Sequence, residues 1–475
     1  MLEIAPRRYD LNLRYTYVTI TMILLVAIPI GYALPPTACA CGSNPYQQFL
    51  QLTSTTSGFP TWDSDQIEVF DFTGETTGYT GDGVYVSVLD TGLVANWRDY
   101  LPAARVRDDL GKGFVENLHV NENGEIVTDG IVHETTFIGS TGSGHGTHVT
   151  STIIGYFYKS PSDTSPNIPP IVVRGIAPKA TIIPVKVLET YNFPGFTGPG
   201  GVTFGTDRMV ATGIRYATAL KLSGFAPMIV TMSLGGPEPS TEIEDAINDA
   251  IAAGVIVVAA AGNDGVTGMD WPGAYPQVIS AGASGWTYEW YRPSFGVPPP
   301  RYRLWWLQSN LAGYNDIPDT TPVSTVYVTD FSSRENDTRV TGFDQELDVL
   351  APGSWVRGPF PATPGYAHLP WWSQGVAGFT SPVLPGGNNF FYVGGTSMST
   401  PHVTSVAALM LEKTPSLTQG TIESILKSTA LPIAAGSAMV FDIFTNAFQT
   451  ISWELDGYEA TGAGLVQADA AVAMA

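Results

Sequence analysis

Three separated stretches carry side chains that could share one reaction. Gly394-Gly395-Thr396-Ser397-Met398-Ser399-Thr400-Pro401-His402-Val403 is a small-residue turn that presents a serine and then opens into the apolar run Val406-Ala407-Ala408-Leu409-Met410-Leu411. A serine at the mouth of a helix is a candidate nucleophile, because nearby backbone N–H groups favour developing negative charge. The same Gly-Thr-Ser turn also makes ordinary helix caps. Upstream, Val84–Gly92 reads as a buried strand ending in Asp90 and a glycine turn. The C-terminal end of a strand in an open α/β sheet is where such sheets place ligands, although a lone Asp there also serves as a turn or helix cap. Between the two, Gly144-His145-Gly146-Thr147-His148-Val149 places His145 at the start of a helix-like segment. His145 and His148 have the spacing of a metal pair, but the zinc-protease helix needs His-Glu-x-x-His, and no Glu lies between them. His148 is expected to be a packed, hydrogen-bonded histidine behind the site. A further buried strand, Val255–Ala261, ends in Gly262-Asn263, a dipeptide that also favours turns.

The residue types define a chemistry. A serine hydroxyl is a poor nucleophile at neutral pH, so a base must take its proton during attack. A neutral His145 would do so and would later return the proton to a leaving amine. Asp90 would hold the imidazole in the useful tautomer and stabilise the imidazolium that forms.

Taken together, "VSVLDTG", "GHGTHV" and "GGTSMSTPHV" resemble the signatures of the subtilisin-like serine protease family, in the order Asp, His, Ser. "AAGN", ending at Asn263, is similar to the family's oxyanion segment. The resemblance covers nearly everything from about Trp62 to the end. It implies a serine endopeptidase with Asp90, His145 and Ser397 as the triad, and with Asn263 and the Ser397 N–H as oxyanion donors. It implies an α/β fold, a three-layer αβα sandwich around a mostly parallel sheet. Strands alternating with helical stretches argue for the same class independently.

The resemblance further implies that polypeptide substrates bind as extended strands along two edges, Ser233-Leu234-Gly235 and Ala260-Ala261-Gly262. Asp264 and Asp270 fall in the segment expected to floor and rim the primary pocket. Carboxylates there could favour a basic side chain before the scissile bond, or could be solvated loop acids or calcium ligands. No cofactor is needed for the chemistry. Structural calcium is common in the family, and Asp99, nine positions after Asp90, matches a family ligand, while the partner loop 158–170 offers no identifiable match. The competing readings are an inactive subtilase fold used for binding or assembly, and the acid-acting sedolisin branch with Glu in place of His145. None of the triad members or Asn263 is lost, and "GHGTH" argues against the second.

The remaining sequence must position these groups. The chain has 475 residues, 44% hydrophobic and 14% charged, which suits one large domain with a substantial core. A net charge of −21 argues against nucleic acid and against anionic lipid surfaces as partners. Arg7, Arg8 and Arg14 precede an apolar stretch from about Val18 to Leu34, followed by Ala38-Cys39-Ala40. Residues 1–40 therefore read as a secretory signal, or as an anchor if uncleaved, and the protein is expected to be secreted, meeting membrane only through that segment. Cys39 and Cys41 are the only cysteines, so no disulfide framework is expected in the folded domain. Residues 41–60 form a short linker, too short for a folded propeptide. The catalytic domain is expected over 61–475, with aromatic- and proline-rich insertions near 286–330 and 359–389 and an extension near 434–459. Asn336-Asp337-Thr338 fits a glycosylation acceptor.

Overall fold

Alternate residues of the central strands enter two different cores in the computed structural model of the chain. Val86 and Val88 pack with helical residues Val149, Ile153 and Val403, while Leu89 packs with Val210, Ile214 and Ile247 on the opposite face. Ile182, Ile229, Ile256 and Val258 join the first group, and Ile183, Val230, Val257 and Ala259 the second. The period of two in strands puts neighbours on opposite faces, so a strand apolar at nearly every position must be covered twice. The structure describes residues 21–22, 58, 60–71, 74–122, 124–139, 143–159, 171–193, 201–291, 302–303, 325–361, 389–442, 447–453 and 459–475.

The strands are β1 (Tyr85–Asp90), β2 (Lys112–Val120), β3 (Ile126–Thr135), β4 (Thr181–Lys186), β5 (Met228–Met232), β6 (Ile256–Ala260), β7 (Ile279–Trp286), β8 (Val326–Val328) and β9 (Val349–Pro352). They form one nine-stranded sheet in the order β8-β7-β6-β5-β1-β4-β2-β3, with β9 also paired to β7. Pairing is parallel except at the two edges, where β3 runs against β2 and β8 against β7. The chain order reverses beside β1, the position where open α/β sheets leave a crevice. Helices α1 (Gly144–Ile154) and α4 (Thr396–Lys413) cover one face, and α2 (Asp207–Leu222) and α3 (Thr241–Ala252) the other. The αβα sandwich expected from the sequence is the observed fold.

Helix α4 is buried from Thr396 to Leu411, with no polar stripe facing water. Its hydroxyls are satisfied internally: Thr400 Oγ1 donates to the Thr396 carbonyl at 2.9 Å and Ser405 Oγ to the Pro401 carbonyl at 2.6 Å. Buried polar groups without such partners would cost roughly 1–3 kcal/mol each. His402, deep in the same helix, donates from Nδ1 to the Met398 carbonyl at 2.7 Å and places Nε2 3.1 Å from Asp63 Oδ2. That contact ties the short helix Trp62–Gln66 to α4 across 339 residues of sequence.

Residues 1–40, expected to be a secretory signal, lie outside the described residues except for Thr21–Met22, which pairs antiparallel with Phe204–Gly205. The linker 41–60 is outside them apart from residues 58 and 60, and Cys39, Cys41, Trp371 and Trp372 are also outside. Of the insertion at 286–330, Trp286 is the buried end of β7 and Val326–Val328 supplies the edge strand β8. The 434–459 extension contains a hairpin, Ser437–Asp442 against Ala447–Ser452. Among the described residues no helix is long and apolar enough to cross a membrane.

Candidate active site

Asp90 is the last residue of β1 and is 1% exposed. Thr91 N donates to its Oδ1 at 2.6 Å, and His145 Nδ1 stands 2.9 Å from Oδ1 and 3.0 Å from Oδ2. A carboxylate accepts hydrogen bonds, so Nδ1 carries the proton and Nε2 is the basic nitrogen. The glycines of the two motifs make this approach sterically feasible. A Cβ on Gly146 would lie 2.4 Å from the Gly92 carbonyl oxygen and 3.1 Å from Asp90 Oδ1. Gly92 itself has φ +79°, and a Cβ there would meet the Phe137 carbonyl oxygen at 2.1 Å. A larger residue at position 146 would push α1 off the end of β1, and one at position 92 would displace the strand end from the Phe137 backbone.

Ser397 is the second residue of α4 and is also buried. Its hydroxyl donates to the Ser233 carbonyl at 3.2 Å, and Ser233 Oγ donates back to the Ser397 carbonyl at 2.8 Å. The second bond follows from Pro401, which lacks the N–H that would otherwise take the Ser397 carbonyl within the helix. Ser397 Oγ makes no hydrogen bond to His145 in this arrangement, so the Asp90–His145 contact is formed while the hydroxyl is turned to Ser233. Catalytic hydrogen bonds are often loose before substrate arrives.

Asn263 follows β6. Its Oδ1 accepts from Thr396 N at 2.9 Å and stands 3.2 Å from Thr396 Oγ1. These contacts commit the oxygen end of the amide and leave Nδ2 without a partner among the described residues. A Cβ built on Gly395 would be 3.6 Å from Asn263 Nδ2 and 3.7 Å from Ser397 N. Two N–H donors thus border one small space that glycine keeps clear. Thr396, which also bonds Gly262, is a positioning residue that the sequence reading did not single out. Its only signal was its place between Gly395 and the serine.

His148 behaves as expected of a histidine behind the site. It is fully buried, its Nε2 donates to the Val356 carbonyl at 3.1 Å, and its ring packs edge-on to Phe360. Burial, and then the neighbouring His145, push it down to about 3, so it stays neutral.

The two expected cleft edges follow β5 and β6, on the same end of the sheet as Asp90. The main-chain groups of Leu234 and Gly235 make no backbone hydrogen bond among the described residues. The other edge differs. Ala261 N donates to Ala281 and its carbonyl accepts from Asp270 N, while the Gly262 carbonyl accepts from Ser333 N. Ala260–Gly262 therefore stands as a wall, with much of its main chain already engaged. Asp264 and Asp270 share one partner, Arg339, whose Nη2 lies 2.7 Å from Asp264 Oδ2 and 3.0 Å from Asp270 Oδ1. Arg339 lies in no motif of the sequence.

Asp99 lies in the single turn Trp97–Asp99 and accepts from Asn96 Nδ2 at 3.0 Å. The acids that converge closely enough for one ion, among the described residues, are Glu346, Asp348 and Glu423, without Asp99. Lys427 already occupies their centre, 2.9 Å from Asp348 and 3.5 Å from Glu423, so a divalent ion there would have to displace an ammonium.

Comparison with known proteins agrees with this geometry. The model of the "Subtilase family", Peptidase_S8, matches residues 81–458. Subtilisin DY of Bacillus licheniformis is 26% identical over 377 residues, 78% of this chain and 90% of that protein. Subtilisin Savinase of Lederbergia lenta is 27% identical over 367 residues, 76% of this chain and 90% of that protein. Among solved structures, Sphericase superposes with a TM-score of 0.52 at 22% identity, covering 87% of this chain and 99% of its own, which bears on the fold. With an acid, an imidazole and a serine delivered to one end of a parallel sheet, and a family match spanning most of the domain, the chain belongs to the subtilase family and is a serine-type endopeptidase.

Proposed function

We propose that the protein is an exported endopeptidase in which Ser397 attacks the peptide carbonyl, His145 acts as general base and acid, Asp90 orients the imidazole, and Asn263 Nδ2 with Ser397 N–H receives the oxyanion. The observation that carries this reading is the Asp90–His145 contact through Nδ1, which leaves Nε2 as the basic nitrogen. For attack the Ser397 hydroxyl has to release the Ser233 carbonyl and turn toward Nε2. Attack then moves its proton to Nε2 and opens the carbonyl π bond, leaving a tetrahedral oxyanion between the two donors. Collapse expels the amine, which takes the proton from Nε2 and leaves an acyl-enzyme on Ser397. Water repeats the sequence and frees the acid.

Substrate approaches as an extended chain along Leu234–Gly235, whose main-chain groups carry no backbone hydrogen bond among the described residues. The Arg-flanked apolar leader supports export. A fluorophosphonate probe is expected to label Ser397, identified by peptide mass mapping, and to leave Ser397→Ala unlabelled. Labelling elsewhere, or none in a folded preparation, would remove the assignment.

Asn263→Ala tests the oxyanion role separately. Losing one preorganised donor is expected to lower kcat about 100–1000-fold with little change in KM, since the donor acts mainly on charge that develops in the transition state. Steady-state kinetics on a chromogenic peptide read this directly, and a change confined to KM would place Asn263 in ground-state binding instead.

A further inference from the structure

Away from the triad, three side chains of the β2–β3 hairpin meet at one point. Pairing of the two strands slips after Glu116: Glu116 stands opposite Val132 and Leu118 opposite Thr128, so Asn117 alone faces Asp129, Gly130 and Ile131. Such a bulge re-aims the side chains around it. Gly130 takes φ +73° there, and its N–H donates to Thr128 Oγ1 at 3.0 Å. Ile131 N–H donates to Asp129 Oδ1 at 3.0 Å, which fixes the carboxylate and leaves Oδ2 to its neighbours. The adjoining Glu116 is buried and accepts from Arg208 Nη1 of α2 at 2.9 Å, so the hairpin is braced against that helix.

Asp129 Oδ2 lies 2.8 Å from His133 Nε2 and 2.9 Å from Asn117 Nδ2, and Asn117 Nδ2 lies 2.9 Å from His133 Nε2. These atoms close a triangle. Asp129 is ionised, because the contact with His133, and then the Ile131 N–H, hold its carboxyl below the ordinary range. No placement of protons satisfies all three sides. With Nε2 protonated, the ring donates to Asp129 but meets the Asn117 NH2 donor against donor. With Nε2 bare, the NH2 donates to both neighbours, but the ring lone pair meets the carboxylate. Turning the amide over lets the ring donate to its oxygen and sets that oxygen against the carboxylate. A cation removes the conflict, since the turned amide, the carboxylate and the bare Nε2 then all offer it lone pairs. With bonds of about 2.1 Å, neighbouring ligands stand about 3.0 Å apart on an octahedral ion and about 3.4 Å apart on a tetrahedral one. The observed 2.8–2.9 Å matches one face of an octahedron.

We infer that Asn117 Oδ1, Asp129 Oδ2 and His133 Nε2 form a three-ligand site for a divalent first-row transition ion, with water filling its remaining positions. The imidazole nitrogen selects this class over calcium and magnesium, which take oxygen ligands. The His133 and Asp129 side chains are 43% and 31% exposed, so the ion and its waters reach the site directly from solvent. The site shares no residue with the triad, with Asp99 or with the Glu346–Asp348–Glu423 group, and its existence does not depend on the peptidase reading.

The test titrates the untagged protein, freed of metal with EDTA and exchanged into metal-free buffer, with Zn2+ in a calorimeter. The wild type is expected to bind an ion that an equal concentration of Ca2+ does not displace. His133→Ala and Asn117→Leu are each expected to weaken that binding by more than the roughly 10–100-fold that loss of an outer-shell partner costs. The absence of Zn2+ binding in the wild type overturns the inference, as does displacement by Ca2+ or an isotherm of either variant equal to the wild type's. A second measurement needs no variant: with less than one equivalent of Cu2+, the wild type's EPR spectrum is expected to show nitrogen splitting from one imidazole. A spectrum without nitrogen coupling overturns the site even if both variants fail to fold.

Discussion

Replacing His145 by alanine is expected to lower kcat about a million-fold, with KM changed by less than a few-fold. The size follows from what the imidazole alone does here. Ser397 Oγ faces only the Ser233 carbonyl, which accepts a hydrogen bond and cannot take a proton at neutral pH. His148 cannot substitute, because its Nε2 is held by the Val356 carbonyl and its ring is buried behind Phe360. The residual rate would come from the Asn263 and Ser397 donors and from substrate positioning. Active-site titration with a fluorophosphonate should show the labelling rate collapsing in parallel with kcat. Unchanged thermal unfolding would confirm that α1 still docks on β1. A loss of only tenfold would mean that another group takes the serine proton.

Asp90→Asn is expected to cost about ten-thousand-fold in kcat while leaving the packing intact. Thr91 N donates to Oδ1 at 2.6 Å, so an asparagine would keep its carbonyl oxygen there and turn its NH2 into the place of Oδ2. That NH2 would face His145 Nδ1 at about the 3.0 Å now spanned by Oδ2. A donor at that place favours the tautomer with Nδ1 bare and Nε2 protonated, which cannot accept the serine proton. The substitution is nearly isosteric, so Tm should change little while the kcat profile between pH 6 and 9 drops throughout. A variant with near-normal kcat would show that Asp90 only packs against the ring.

Much of this site was legible in the chain because the signals are local. Asp90, His145, Ser397 and Asn263 each sit in a short motif whose glycines are needed within a few residues: Gly92 for its positive φ, Gly146 for close approach and Gly395 for the open space beside Asn263. The parallel sheet was legible for a similar reason, since strands such as β1, β5 and β6 are apolar on both faces and must be covered by helices on both sides. The antiparallel edges β3 and β8 were not, because an edge strand is chosen by which neighbour is left unpaired.

The identities and order of the proposed reacting groups, the α/β class and the buried, hydrogen-bonded state of His148 were thus legible in sequence. Tertiary structure alone decided that Ser233 and Ser397 exchange hydrogen bonds across 164 residues, that Asp63 meets His402, and that Arg339 divides its charge between Asp264 and Asp270. Motifs record constraints within a turn or two of backbone, where sterics and hydrogen-bond geometry permit few residues. The charge balance around a buried acid depends on which distant segment packs against it, and no local pattern around Asp270 encodes the arrival of a guanidinium 69 residues downstream.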